Sequence, residues 1–205
     1  VRLIVIGAGG HAKVVVDAAL ARGISVVGAV AESGAVTDVG GVPVITDAAQ
    51  VAADAFIVAV GDNRARAALF VEYAARGFVP AAVVHPSAIV ATSAEIAPGA
   101  FIAAGAVVNP DARIGANVIL NTGCTVDHDC VIGENAHVGP GANLCGGVSV
   151  GEGALIGVGA CAMPRVAIGA WSVVGAGSAV TSDLPDGMVC VGVPSRPLHP
   201  VKDAT

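Results

Sequence analysis

Ile114-Gly-Ala-Asn-Val-Ile-Leu120-Asn-Thr-Gly-Cys-Thr-Val126-Asp-His-Asp-Cys-Val-Ile132-Gly-Glu-Asn-Ala-His-Val138 carries an aliphatic residue at every sixth position. Outward from this stretch the same step reaches Val84 on one side and Val180 on the other. Every position on that ladder is apolar, and only Ala162 is not Val, Ile or Leu. Four residues after the aliphatic stands a small or β-branched one, as in Ala94, Ala112, Cys124, Cys130, Ala136, Ala142 and Ala160. A fixed period of this kind decides the architecture before any residue-level reading. Each unit is one short strand and a tight corner, and alternation sends the aliphatic and the small residue to the same inward side. Three units close a triangular coil of about 18 residues, and coils stack ~4.8 Å apart through backbone hydrogen bonds. The ladder predicts about five coils, a prism on the order of 25 Å tall. Its narrow interior explains the small residues, and Cys124 and Cys130 read as core filler.

Before Val84 the pattern changes. Leu3–Ile6, Ser25–Val30 and Phe56–Val60 read as strands, and His11–Arg22 and Asn63–Arg76 as helices closed by Gly23 and Gly77. Alternating β and α segments predict a small parallel sheet with crossover helices, about half a dinucleotide-binding domain. The predicted organisation is an α/β half-Rossmann-like domain over 1–83, a parallel β-helix of hexapeptide repeats over 84–184, and a tail over 185–205.

The composition agrees and excludes several classes. Of 205 residues, 55% are apolar, 13% charged and 3% aromatic, which rules out both disorder and an aromatic core. A net charge of -6 argues against a nucleic-acid partner. No uncharged stretch offers the ~20 continuous apolar residues of a spanning helix. No leader is expected from the strand-like opening Arg2-Leu-Ile-Val-Ile6. Five cysteines without a CxxC pair fit a reducing cytoplasm and neither a disulfide framework nor a zinc site. Between Val84 and Thr181 only eight charges occur, none of them Lys. So sparsely charged an exterior predicts that prisms pack against one another.

Two constellations carry chemistry. Gly7-Ala-Gly-Gly-His-Ala12, between a strand and a helix, has the G-x-G-x-x-A form that lets a phosphate approach a helix N-terminus. Glu32 follows at the distance of a ribose-binding acid; the competing reading is a glycine turn used only for packing. Asn121-Thr-Gly-Cys-Thr-Val-Asp-His-Asp-Cys130, with His137 beyond it, places two histidines and a carboxylate off the inward positions. A histidine beside an acid suits proton removal near neutral pH, and Asp129 would raise the basicity of His128. The plain alternative is polar decoration of a subunit contact. His85 reads as structural, and His128 and His137 lack a recognised metal-ligand spacing.

Taken with Gly61-Asp-Asn-Arg64, His85-Pro-Ser-Ala88 and Gly192-Val-Pro-Ser-Arg196, these motifs resemble the sialic-acid O-acetyltransferase (NeuD) family of hexapeptide-repeat acyltransferases. The likeness is greatest to its branch of bacterial nucleotide-sugar N-acetyltransferases and covers essentially the full chain. The resemblance implies a left-handed coil, a homotrimer with active sites between subunits, acetyl-CoA as co-substrate, no metal and a cytoplasmic setting. It implies a nucleotide-linked 4-amino-4,6-dideoxy sugar as acceptor, with GDP-perosamine ranked before UDP- and dTDP-linked sugars. By position it makes His128 the general base and Asp129 its partner. Gly9, Gly10, His11, Glu32, Gly61 and Asn121 would bind the acceptor; His137, Val158 and Ala176 would contact the donor. A sugar O-acetyltransferase, an NAD-dependent oxidoreductase and a non-catalytic scaffold stand as alternatives.

Overall fold

A computed structural model of the protein describes residues 1–31 and 36–202. Strands β1 (Arg2–Ile6), β2 (Ser25–Val30), β3 (Asp38–Val39), β4 (Val42–Ile45), β5 (Ala55–Val58) and β6 (Val79–Pro80) form one sheet in the order β3-β4-β2-β1-β5-β6. Its pairs are parallel except β3–β4. Helices α1 (Gly10–Ala21) and α2 (Asn63–Ala75) supply two of the crossovers. The β3–β4 hairpin is an addition to the sequence expectation. Gly40 and Gly41 form its turn at φ +61° and +84°, a conformation that favours glycine at both central positions.

From Val83 the chain becomes a parallel β-helix of two-residue strands on three faces. Phe101 pairs with Ile119, Val107 with Thr125, and Arg113 with Val131, so each coil repeats the last after 18 residues. The first face begins with Val83–Val84, the second with Ile89–Val90 and the third with Glu95–Ile96. Inward side chains such as Leu120, Cys124, Val126, Cys130 and Ala136 are fully buried. Burial pushes the Cys124 thiol up to about 12, which makes it inert filler. Corners take the left-handed conformation, mostly at Gly. Six corner residues are not Gly: Asp111, Asn117, Asp129, Asn135, Arg165 and Trp171.

The outward side chains of the first face are covered by the chain itself. Val83, Phe101 and Ile119 share an apolar cluster with Leu3 and Val5 of β1 and Ala12, Val15 and Val16 of α1. Part of the sparsely charged exterior is therefore buried within one subunit. Ile89, Val131, Val158 and Met163 stay exposed on the second and third faces and at the corners.

α2 fastens to the corner between the third and first faces. Asn63 Nδ2 donates to the Gly153 carbonyl at 3.0 Å, and the Arg64 guanidinium lies 4.8 Å from the centre of the Trp171 ring. Gly153 makes room for that indole, since a Cβ there would collide with the ring.

Residues 185–200 do more than trail from the prism. Leu184 bridges to Ile168, Met188–Val191 pairs in parallel with Val173–Val174, and Arg196–Pro200 turns back antiparallel beside it. Cys190 closes the core as a buried residue. The six-residue period ends at Val180, but inward apolar side chains continue. No helix among the described residues is long and apolar enough to cross a membrane.

Packing in the narrow triangle sets a stability prediction. Ala160→Leu forces extra volume between coils and should cost about 1–3 kcal/mol or more, read as a lowered denaturation midpoint.

Candidate active site

His128 and Asp129 occupy the corner between the second and third faces. Adjacent residues of a flat strand point apart, but Asp129 sits at φ +59°, and the corner brings both side chains together. His128 Nδ1 lies 2.7 Å from Asp129 Oδ2. An ionised carboxylate only accepts, so Nδ1 carries the proton and Nε2 is left with its lone pair. A second acid supports the pair: Asp127 Oδ1 accepts from the His128 backbone N–H and from Asn109 Nδ2, each at 2.8 Å. The Asp129 hydrogen bond first, and the charge of Asp127 second, hold the His128 pKa above its ordinary value. One coil further, Gly146 leaves space for the ring, because a Cβ there would stand about 2.5 Å from His128 Nε2. The cleft around the ring, about 540 Å³, is walled by Cys145, Gly147, Pro164 and Arg165.

His137 has the opposite environment. It projects from the first face into the junction with α1, where its ring centre is 6.4 Å from that of His11. His11 in turn meets Phe101 edge-on. Asn121 Oδ1 accepts from the Thr122 N–H at 2.8 Å, which turns Nδ2 toward His137 Nε2 at 3.0 Å. Both rings are pushed down to about 4, chiefly by burial and then by the Arg66 cation. They are neutral at pH 7 and suited to hydrogen bonding more than to proton uptake. His11 Nε2 is a buried atom with no protein hydrogen-bond partner, the condition of a group placed for a ligand. The His137 ring keeps a weak contact with the Gly61 backbone, which partly opposes the effect of burial.

The glycine turn divides its tasks. Gly7, at φ +119°, permits the tight approach to β5's end, where a Cβ would stand 2.9 Å from the Ala59 carbonyl oxygen. Gly9 and Gly10 face open space at the start of α1, whose N-terminus has no side-chain cap. Free N–H groups beside exposed backbone suit an anion. Glu32 lies outside the described residues.

Val158 and Ala176 stack at the corner between the first and second faces, with the Gly177 N–H donating to the Val158 carbonyl at 2.8 Å. Thr122 and Pro140 continue this corner downward, since the Gly141 N–H bonds to the Thr122 carbonyl and that of Gly159 to Pro140. The candidate residues thus sort into two places. His11, Gly61, Asn121 and His137 meet on the first face beside the Val158–Ala176 corner. His128 and Asp129 stand at the corner opposite that face. A single chain does not bring them together.

Sequence reasoning missed Arg66, Asp127 and Gly146. Arg66 is wholly buried and donates to the carbonyls of Asn117, Gly61 and Asn135, at 3.0, 3.3 and 2.6 Å. Its signal was a charge set among Ala65, Ala67 and Ala68. Gly146-Gly147, a doubled glycine one coil above His128-Asp129, was the signal for the other. No group of three or more His, Cys, Asp or Glu that could hold a metal ion occurs among the described residues.

Comparison with known proteins places this arrangement. Residues 2–73 match the PglD N-terminal domain, and residues 111–146 match the bacterial transferase hexapeptide model. No curated protein matches the chain. Among solved structures, PerB from Caulobacter crescentus in complex with CoA and GDP-perosamine is 42% identical, with a TM-score of 0.91 over 96% of this chain and 97% of that one. The acetyltransferase domain of PglB from Neisseria gonorrhoeae in complex with acetyl coenzyme A is 38% identical, with a TM-score of 0.92 over 96% and 98%. WeeI from Acinetobacter baumannii is 27% identical, with a TM-score of 0.89 over 96% and 99%. With both halves matched and the identity sustained along the whole chain, this protein belongs to the hexapeptide-repeat acetyltransferases that carry a PglD-type N-terminal domain.

Proposed function

We propose that the protein transfers an acetyl group from acetyl-CoA to the 4-amino group of a nucleotide-linked 4-amino-4,6-dideoxy sugar, GDP-perosamine foremost. The observation that carries this reading is the full-length likeness to PerB, a structure holding CoA and GDP-perosamine. The sugar nucleotide is taken by Gly9, Gly10 and His11 at the uncapped start of α1, with Gly61 beside them and Asn121 near the acceptor amine. Glu32 is assigned to the ribose side. The CoA arm follows the Val158–Ala176 corner toward His137.

The amine nitrogen attacks the thioester carbonyl carbon, the C–N bond forms, and collapse of the tetrahedral adduct breaks the C–S bond. His128 Nε2 takes the proton shed by nitrogen and returns it to the departing CoA sulfur. The neutral His137 and backbone N–H groups are placed to hydrogen-bond the carbonyl oxygen as charge develops on it. His128 and His137 lie on different sides of one prism, and the second and third faces expose apolar side chains. These features support a homotrimer in which one subunit's His128 faces its neighbour's His137. Unpaired cysteines suit a cytoplasmic setting.

Three outcomes follow. Thiol release from acetyl-CoA, measured across GDP-, UDP- and dTDP-4-amino-4,6-dideoxyhexoses, should be fastest with GDP-perosamine, and His128→Ala should lower it by about 10²–10⁴-fold. His128 has to be unprotonated to act, and its acids raise its pKa, so kcat/KM should rise with pH through a midpoint above 6.5. Asp129→Asn removes the main cause and should move that midpoint to lower pH, as read from the pH–rate profile. Light scattering should return three times the chain mass; a monomer at micromolar concentration would exclude the shared site.

A further inference from the structure

Arg66 is the largest wholly buried side chain among the described residues, and a buried charge carries a desolvation cost of several kcal/mol. An apolar residue of similar volume would hold the seam between α2 and the prism without that cost. What the guanidinium supplies instead is a branched set of donors. Nε donates to the Asn117 carbonyl at 3.0 Å, Nη1 to Val60 at 3.2 Å and Gly61 at 3.3 Å, and Nη2 to Asn135 at 2.6 Å and Ala136 at 3.3 Å.

These carbonyls belong to three separate segments. Val60 and Gly61 form the loop beside the acceptor site, Asn135 and Ala136 the turn that leads directly into His137, and Asn117 the corner one coil before. The Asn117 side chain closes the network, donating to the Arg66 carbonyl at 3.2 Å and to Asn135 Oδ1 at 2.8 Å. We propose that Arg66 is a positioning residue that clamps the 60–61 loop to the 135–136 turn and so fixes His137 against the acceptor side of the active centre. This inference rests on the acetyltransferase reading for its kinetic consequence, but not for its structural one. A planar five-donor fork is needed for the task, which a lysine cannot reproduce.

The test uses the full chain with acetyl-CoA and its best nucleotide amino sugar. Arg66→Lys and Arg66→Gln should lower kcat by about 10²-fold, the scale of a reacting group displaced by an ångström, while either KM moves less than threefold. Asn63→Ala, which breaks a bond across the same seam, serves as the structural control and should lower the melting temperature with kcat retained. In the free enzyme, ring ¹⁵N spectra should show His137 neutral down to about pH 4. His11 of α1 and Arg66 of α2 are the ionisable groups that bear on that ring. Removing the cation in Arg66→Gln should raise the His137 midpoint, though burial still holds it below 6.5. Should both arginine variants fail to fold, Asn117→Ala leaves the guanidinium but frees the turn, and its kcat should fall several-fold at constant KM.

Wild-type kcat in the variants that fold, with the His137 ring spectrum unaltered, would reduce Arg66 to a structural staple and overturn the proposal. Absence of turnover in the wild type with every sugar would instead sink the functional reading, leaving the spectra to judge the clamp.

Discussion

Main-chain hydrogen bonding between coils 18 residues apart is the constraint on which this molecule rests. Because each coil hangs from the next through its backbone, a residue's place in the coil is also its place in a vertical column. Asp111, Asp129, Gly147 and Arg165 occupy one such column, all in the left-handed conformation. The ladder leaves the inside of the triangle to aliphatic and small side chains, with Ser172 and Ser178 continuing the small column, and sends charged groups outward. Functional groups can then stand only at corners or on faces, and the site is built from those two kinds of position.

The two prism histidines show what the difference means. His128 stands at an open corner, with its side chain 61% exposed, and two carboxylates stabilise its charged form. His137 stands on a covered face, where burial and a guanidinium oppose its protonation. The same side chain is thus held more readily protonated in one place and neutral in the other. Environment assigns the roles, as the docking of α1 and α2 on the first face determines which corner stays wet.

The repeat was legible because this prism carries no insertion, so the spacing from Val84 to Val180 survives as arithmetic. His128-Asp129 was legible as a pair of residue types. Their hydrogen bond was not, because it depends on a positive φ at Asp129 where most corners use Gly. Arg66 escaped notice for a different reason. On an Ala-rich helix an arginine two residues after Arg64 reads as a second solvated charge, and only the juxtaposition of α2 with corners 117 and 135 turns it into a buried one. The Gly40-Gly41 hairpin carries only a local turn signature, with strands of two and four residues too short to stand out beside it. Residues 185–205 read as a tail because the six-residue step stops, although Cys190 goes on filling the core.

Trp171 is the chain's only tryptophan, and it lies where α2 meets the prism, its indole resting over Gly153 and near the Arg64 cation. The protein accordingly carries a built-in optical reporter at that seam. An indole at a seam changes surroundings when the seam opens, so the native fluorescence reports separation of the two halves without any label.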